Sequence, residues 1–337
     1  MPRILSLSLR PRTLSGMFGQ EANIKEIRQM MSPTGRQPRA WMFTGGPGTG
    51  KTTAARIMAV AYNCSHMKLW GDPCGVCWKE MTNSDGTLRG PSLHEINASD
   101  SRGVEEMGKI AQISKMHPMG MAKRVIILNE AQRITKEGQN LILDPTENPP
   151  ASTVWIICTT DPQNLLAALR TRFTTFQLKS FGYDQREKFL MTAAASIKFY
   201  KDLEPLIEAA NTTGTGSARM LLQALEKYAA GSSAEEAMAG IDGTGANSLR
   251  ICKAVTDGNW KELRGLLIAA TPEDSRWMRG SVSGWIRGIL ARETEPKAQD
   301  RAALSLADLT GYAPLEDAGM RDWLWAVLFK ICRRYKT

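Results

Sequence analysis

No run of about eighteen apolar residues occurs in this 337-residue chain, which excludes a helix able to span a membrane. Met1 to Leu14 alternates Leu and Arg and lacks the apolar core of a secretory signal. A cytoplasmic protein with no membrane partner is therefore expected. Internal repeats and long low-complexity tracts are absent too. Cysteine is sparse, at six residues. In a cytosolic chain these point to free thiols or a metal site rather than to disulfides.

What is present is an ordinary globular composition, 42% apolar, on a chain long enough for two or three domains. Lys and Arg number 43 against 34 for Asp and Glu, a net charge of +9. The excess suits a polyanionic partner, and it equally suits a surface that only has to stay soluble.

The most informative stretch is Gly45-Gly46-Pro47-Gly48-Thr49-Gly50-Lys51-Thr52, which fits G-x-x-x-x-G-K-[ST]. Glycines let the backbone curl so that several N–H groups point into one cavity, where a triphosphate sits. Lys51 supplies charge to the β- and γ-phosphates, and Thr52 offers a hydroxyl to Mg²⁺. Residues 40–44 before the loop read as a buried strand. Thr53 and the residues after it read as a helix whose N-terminus favours anions. ATP and Mg²⁺ are the expected ligands.

From 40 to 180 strands and helices alternate. Strand candidates are 40–44, 93–97, 123–128, 153–158 and 174–178, with helices at 51–62, 103–116 and 135–144. An earlier helix is expected from Glu21 to Met31. This is the α/β pattern of a parallel sheet with helices on both faces. Residues 72–91 interrupt it as a surface insertion, which runs 64–91 when Cys64 is included. The first domain is expected at 1–182, a small helical unit at 183–230, a Gly/Ala/Ser-rich linker at 231–245 and an all-helical region at 246–337. Tryptophans at 260, 277, 285, 323 and 325 suit a core or a subunit interface better than a ligand site.

Arg124 to Asn129 is a buried strand ending in Asn129-Glu130. In a phosphate-loop fold an Asp at the first of these normally holds Mg²⁺, and the Glu polarises the attacking water. Asn129 is neutral, so the metal site has one fewer negative charge, while Glu130 is available as general base. A strand end merely capped by Asn is the alternative. Thr159-Thr160-Asp161 ends the next strand, where the Thr160 hydroxyl can sense the γ-phosphate. Arg172, in Arg170-Thr171-Arg172-Phe173, is either a surface arginine or one that reaches a neighbour's site. Arg219 opens a helix against its dipole, which suggests a specific anion nearby. Cys64, Cys74 and Cys77 form a zinc candidate, with C-x₂-C spacing in Cys74–Cys77 and either His66 or Glu80 as fourth ligand. Three free thiols in a packed insertion is the alternative.

Together these pieces resemble the AAA+ ATPase subunits of DNA polymerase sliding-clamp loaders, closely over residues 9–226 and weakly beyond. Arg10, Pro11 and Phe18, in Leu9–Leu14 and Phe18-Gly19-Gln20, match the segment that borders the family's adenine pocket. Glu95-Ile96-Asn97-Ala98-Ser99-Asp100-Ser101-Arg102-Gly103 resembles a run of the archaeal and eukaryotic small subunits. That run leads into a helix that tracks duplex phosphates, so the resemblance assigns DNA contact to Arg102 and Gly103. The cysteine insertion and Cys158 to Gln163 resemble the bacterial tau/gamma subunit. Thr171-Arg172-Phe173 matches the arginine-finger motif and Gly216 to Arg219 the sensor-two motif of the helical lid.

The resemblance implies an AAA+ fold with a helical lid and an all-α collar. It implies a ring of five subunits, a sliding clamp and primer–template DNA as partners, and a bacterial or phage-infected host. Asn129 and Glu80 depart from the family pattern. Asp144-Pro145 departs as well, and the proline is expected to shorten its helix. A nucleotide-binding but weakly hydrolysing structural subunit is the main alternative, made plausible by Asn129. The Asn97–Gly103 run argues against a helicase loader or branch-migration motor.

Overall fold

Five short segments form one parallel sheet, in the order β2-β3-β4-β1-β5. The computed structural model describes residues 4–67, 69–100, 103–239, 245–268, 275–311, 314 and 317–336. Side chains are described at all of these except 239, 245–249, 276, 277, 291, 292, 317 and 318. The chain divides into two compact units, Met1–Ser180 with Ser217–Arg219, and Phe181–Gly216 with Met220–Thr337.

The first unit runs α1 (Leu5–Ser8), α2 (Glu21–Met31), β1 (Ala40–Thr44), α3 (Lys51–Ala61), α4 (Gly75–Met81) and β2 (Leu93–Asn97). It continues through α5 (Val104–Ser114), β3 (Arg124–Asn129), α6 (Lys136–Glu147), β4 (Thr153–Thr159), α7 (Ala167–Arg170) and β5 (Thr174–Gln177). Its three inner strands, β3, β4 and β1, are largely apolar because both of their faces are covered, while the edge strands β2 (Leu-His-Glu-Ile-Asn) and β5 (Thr-Thr-Phe-Gln) are mixed. Trp41, Phe43, Ile127 and Ile156 pack into one core with Ile57 and Met58 of α3. Met42, Ile126, Leu128 and Trp155 alternate with them and pack on the other face with Met107 of α5 and Ile142 of α6. Helix α2 buries Ile24, Ile27 and Met31, spaced along one helical face.

Helix α6 departs from expectation. It continues through Pro145 to Glu147 instead of stopping short. Pro145 sits in the last turn, where only one backbone bond is forfeited. The carbonyl it leaves without that partner is that of Leu141, an exposed residue, and the Thr146 hydroxyl adds bonds to the carbonyls of Ile142 at 2.6 Å and Leu143 at 3.0 Å in the same turn.

The second unit is helical throughout its described residues. It comprises α8 (Tyr183–Ser196), α9 (Glu204–Thr213), α10 (Ala218–Ala229, whose first two residues group with the first unit) and α11 (Ala234–Ala239). Then follow α12 (Gly245–Thr256), α13 (Trp260–Ile268), α14 (Ser275–Arg292), α15 (Pro296–Thr310) and α16 (Asp317–Tyr335). Helix α11 lies in the stretch expected to be a linker. Its cause is a capping box: Ser233 Oγ accepts from Glu236 N–H at 3.1 Å, and Glu236 Oε2 accepts from Ser233 N–H at 3.0 Å. Trp260, Trp285, Trp323 and Trp325 pack, partly buried, around a core that includes Val255, Leu263, Val282 and Leu324. Trp277 lies outside the described side chains.

Candidate active site

The glycine-rich loop joins the C-terminal end of β1 to α3, at the sheet edge where α/β folds place ligands. Gly50 caps α3 with φ 101°, a left-handed conformation that needs glycine, and the Met17 methyl lies 3.1 Å from where a Cβ would stand. At Gly48 φ is 72°, and a Cβ there would collide with the Ser217 hydroxyl and lie 3.3 Å from Arg219 Cβ. The loop is therefore bordered by Ser217 and Arg219, which group with this unit. Thr49 Oγ1 donates to Gly46 O at 2.9 Å, which tightens the turn around Pro47. Lys51 is buried, and its Nζ donates to Gly45 O at 2.9 Å and Gly46 O at 2.8 Å. Burial lowers its pKa below the ordinary lysine value, and the charge of Arg219 pushes the same way.

Two hydrogen-bonded chains run along the strand ends. In the first, Thr52 Oγ1 donates to Asn129 Oδ1 at 2.9 Å and Asn129 Nδ2 donates to Glu95 Oε1 at 2.9 Å. Arg56 of α3 holds Glu95 in a forked pair, with Nε to Oε2 at 2.8 Å and Nη2 to Oε1 at 2.8 Å. In the second, Gln132 Nε2 donates to Glu130 Oε2 at 2.7 Å and to Thr160 Oγ1 at 2.8 Å. Glu130 adopts φ 52°, ψ 40°, a left-handed backbone that costs a non-glycine residue about 1–3 kcal/mol. Strain of this kind tends to collect at functional sites. The structure thus brings Lys51, Thr52, Asn129, Glu130 and Thr160 to one sheet edge. Glu95, Arg56 and Gln132 carry no role in the sequence reading, because their contacts join residues 28 to 39 positions apart.

Arg10 faces the same region. Burial lowers its pKa, and the charges of Arg56 and Arg219 add to that. Arg10 also lines a cavity of about 270 Å³ with Arg12, Trp78, Lys79 and Asp85. Pro11 packs beside Gly16, and Met17, the residue before Phe18, touches the loop at Gly50. Thr53 lies in the first turn of α3.

Arg172, expected either at the surface or reaching a neighbour's site, is paired within its own chain. Its Nη2 pairs with Glu147 Oε2 at 2.6 Å, and its Nη1 donates to Ala168 O. Arg102 lies outside the described residues. Gly103 caps α5, whose first turn carries Glu105 and Glu106, both paired with Lys109 at 2.8 and 3.4 Å. Those carboxylates already answer the helix dipole.

In the insertion, the ligand atoms of Cys64, Cys74 and Cys77 lie within 4.8 Å of one another. A tetrahedral site with Zn–S bonds of about 2.3 Å needs sulfurs roughly 3.8 Å apart, so a small contraction suffices. Cys74 caps α4, and hydrogen bonding from Cys77 N–H brings its thiol down to about 7. Burial pushes Cys77 up to about 12. His66 Nδ1 stands 3.9 Å from Cys77 Sγ. Neither His66 nor Glu80 is part of the three-cysteine group itself. Asp72 anchors the insertion, accepting from Arg28 at 2.6 Å and from Ser15 N–H at 3.0 Å. The other three cysteines, 158, 252 and 332, are buried and free.

Sheet order, loop and strand ends define a P-loop domain of the AAA+ class. Within that fold the chain is similar to subunits of DNA polymerase III. Residues 19–182 match the family described as DNA polymerase III, delta subunit. The tau subunit of Salmonella typhimurium is 27% identical over 283 residues, covering 82% of this chain and 43% of that protein. The tau subunit of Escherichia coli is 26% identical over 316 residues, covering 90% and 48%. The chain therefore spans about half the length of the curated relatives it matches. A solved structure of a Thermotoga maritima RuvB variant shares the fold with a TM-score of 0.50 at 15% identity, covering 81% of this chain and 85% of that one. No helix among the described residues is long and apolar enough to cross a membrane.

Proposed function

We propose that this chain is a clamp-loader ATPase subunit. It uses ATP binding and hydrolysis to open a sliding clamp and place it on primer–template DNA during replication. One observation carries the reading. Lys51 is buried with only backbone carbonyls as hydrogen-bond partners, the charge of Arg219 acts on it, and Arg10 in turn feels the charge of Arg219. Among the described residues no carboxylate forms an ion pair with any of the three, which is the charge arrangement a triphosphate completes.

Thr52 and Asn129 would hold Mg²⁺, which supplies charge neutralisation at the β- and γ-oxygens when bound. In the reaction a water oxygen bonds to the γ-phosphorus and Glu130 takes a proton from that water. The bridging oxygen leaves with ADP and keeps the bond pair. Arg172 serves a neighbouring subunit's site once it leaves Glu147. Residues 183–230 act as the lid and 246–337 as the collar of a five-membered ring. Arg102 and Gly103 contact DNA phosphates, and Arg102→Ala should weaken DNA binding similarly across sequences. Cys64, Cys74, Cys77 and His66 hold one zinc ion that stiffens the insertion.

A second reading is favoured by Asn129, whose neutral amide faces Thr52. In it the subunit binds nucleotide, hydrolyses it poorly and acts by holding the ring together. The test is ATP turnover in the complex reconstituted with partner subunits, clamp and primed DNA. Stimulated turnover that disappears in Lys51→Ala supports the motor. ATP binding without stimulated turnover leaves only the structural subunit.

A further inference from the structure

Gln132 touches both strand ends that the hydrolysis reading uses, and no role has yet been given to it. It sits in the 3-10 turn Ala131–Arg133 that follows β3. Its Nε2 donates to Glu130 Oε2 at 2.7 Å and to Thr160 Oγ1 at 2.8 Å. Its Oε1 accepts from Thr159 Oγ1 at 2.8 Å and from Thr160 N–H at 3.3 Å. A primary amide has two N–H donors and two acceptor lone pairs, so every one is engaged. The orientation of the amide is fixed by its neighbours. A flip would turn the amide oxygen onto the Glu130 carboxylate and the NH₂ group onto the Thr160 N–H, giving two repulsive contacts.

We propose that Gln132 is a positioning residue that ties the Glu130 carboxylate to the end of β4, so that general base and Thr160 hydroxyl keep one geometry. The proposal rests on the ATPase reading above. The amide fixes the plane of the Glu130 carboxylate through Oε2, and Oε1 meets the water. Thr160 is held by the same amide through its hydroxyl and its backbone N–H. A shift of either strand end is therefore transmitted to the other. A misplacement of this kind costs rate and leaves affinity for ATP intact, because Lys51 and the loop do the binding.

The experiment compares wild type, Gln132→Ala and Gln132→Glu in the complex reconstituted with clamp, partner subunits and primed DNA. It reads affinity for a fluorescent ATP analogue with Mg²⁺, the single-turnover hydrolysis rate, and thermal unfolding. Gln132→Ala should lower the hydrolysis rate about tenfold to a hundredfold with analogue affinity within about twofold. Gln132→Glu keeps the shape but removes both donations and places carboxylate against carboxylate. Its rate should fall further than that of Gln132→Ala, again with affinity kept. A purely structural role would lower affinity and melting temperature together with rate, and would not split rate from affinity.

If wild type turns over and both variants match it in rate, Gln132 has no positioning role and the ATPase reading stands. Loss of analogue affinity in step with rate overturns the proposal too, since Gln132 would then act in binding or folding. Absence of turnover in wild type overturns the ATPase reading and this one together.

Discussion

Asn129 donates from Nδ2 to Glu95 Oε1 at 2.9 Å, so the residue where related sites carry an acid is a hydrogen-bond donor to one. Its other amide atom accepts from Thr52. The neutral amide therefore does more than remove a charge. It bridges the Thr52 hydroxyl to the Glu95 carboxylate, while Arg56 balances the Glu95 charge in a pair whose side chains are 11% and 16% exposed. A pair that little exposed is costly to break from one side only.

Asn129→Asp puts this relationship under strain. The donor becomes a second carboxylate about 3 Å from the first, and one of the two must then be protonated or find a cation. We expect the nucleotide-free variant to be about 1–3 kcal/mol less stable than wild type at neutral pH. The loss should shrink on acidification and on adding Mg²⁺ with ATP. Turnover should rise if the amide is what limits it. Thermal unfolding with and without Mg²⁺-ATP, beside a hydrolysis assay, checks both parts. Identical melting with and without the substitution would show that Asn129 and Glu95 are not coupled.

The sheet was legible in the sequence for a physical reason. Strands buried on two faces, such as 40–44, are continuous apolar runs, and the more polar edge strand 93–97 also forms at its expected bounds. The third strand is displaced by one residue, to Arg124–Asn129, because Asn129 still pairs in register with Asn97. The loop was legible because glycine at fixed offsets is a backbone requirement. Helix α6 was misjudged because a proline in the last turn forfeits only one backbone bond, to the carbonyl of the exposed Leu141, and does not stop the helix. Gln132 and the Arg56–Glu95 pair were not legible. Their meaning comes from contacts between strand ends and a helix, and nothing local to residues 56, 95 or 132 announces them.

The insertion yields a metal prediction. Purified protein should carry about one zinc per chain by elemental analysis. Cys74→Ser should abolish it, since it removes the thiol that hydrogen bonding from Cys77 N–H already favours as thiolate. His66→Ala should keep some metal but lose it faster to a chelator, and Glu80→Gln should behave as wild type, because it is His66 whose Nδ1 stands 3.9 Å from Cys77 Sγ. Folded, active, metal-free wild type would falsify the zinc assignment. Glu80→Gln behaving like His66→Ala would exchange the fourth ligand.

His94 offers a pH test that is independent of nucleotide. Arg124 is 4% exposed, and its hydrogen-bond acceptors are all uncharged: Met116 O at 3.3 Å, His117 O at 2.7 Å and His94 Nε2 at 2.9 Å. The guanidinium can only donate, so His94 must accept at Nε2 and be neutral. Protonation would break that bond and place two cations in contact. Burial, and then the Arg124 charge, lower the His94 pKa below its ordinary value near 6.5. The unfolded chain consequently binds a proton at this site more readily than the folded one. Stability contributed here is complete above about pH 6.5 and declines as pH falls from there toward the depressed folded-state value. His94→Gln retains an acceptor and cannot titrate. Urea unfolding at pH 7.5 and 5.5 should show a larger acid loss for wild type than for the variant. The excess should be at most about 1 kcal/mol, given the partial exposure of the ring. The remaining titrating groups are common to both proteins and cancel in the comparison. Equal pH slopes would mean that His94 is no more reluctant to protonate in the fold than in the open chain, and that Arg124 is held by the backbone carbonyls alone.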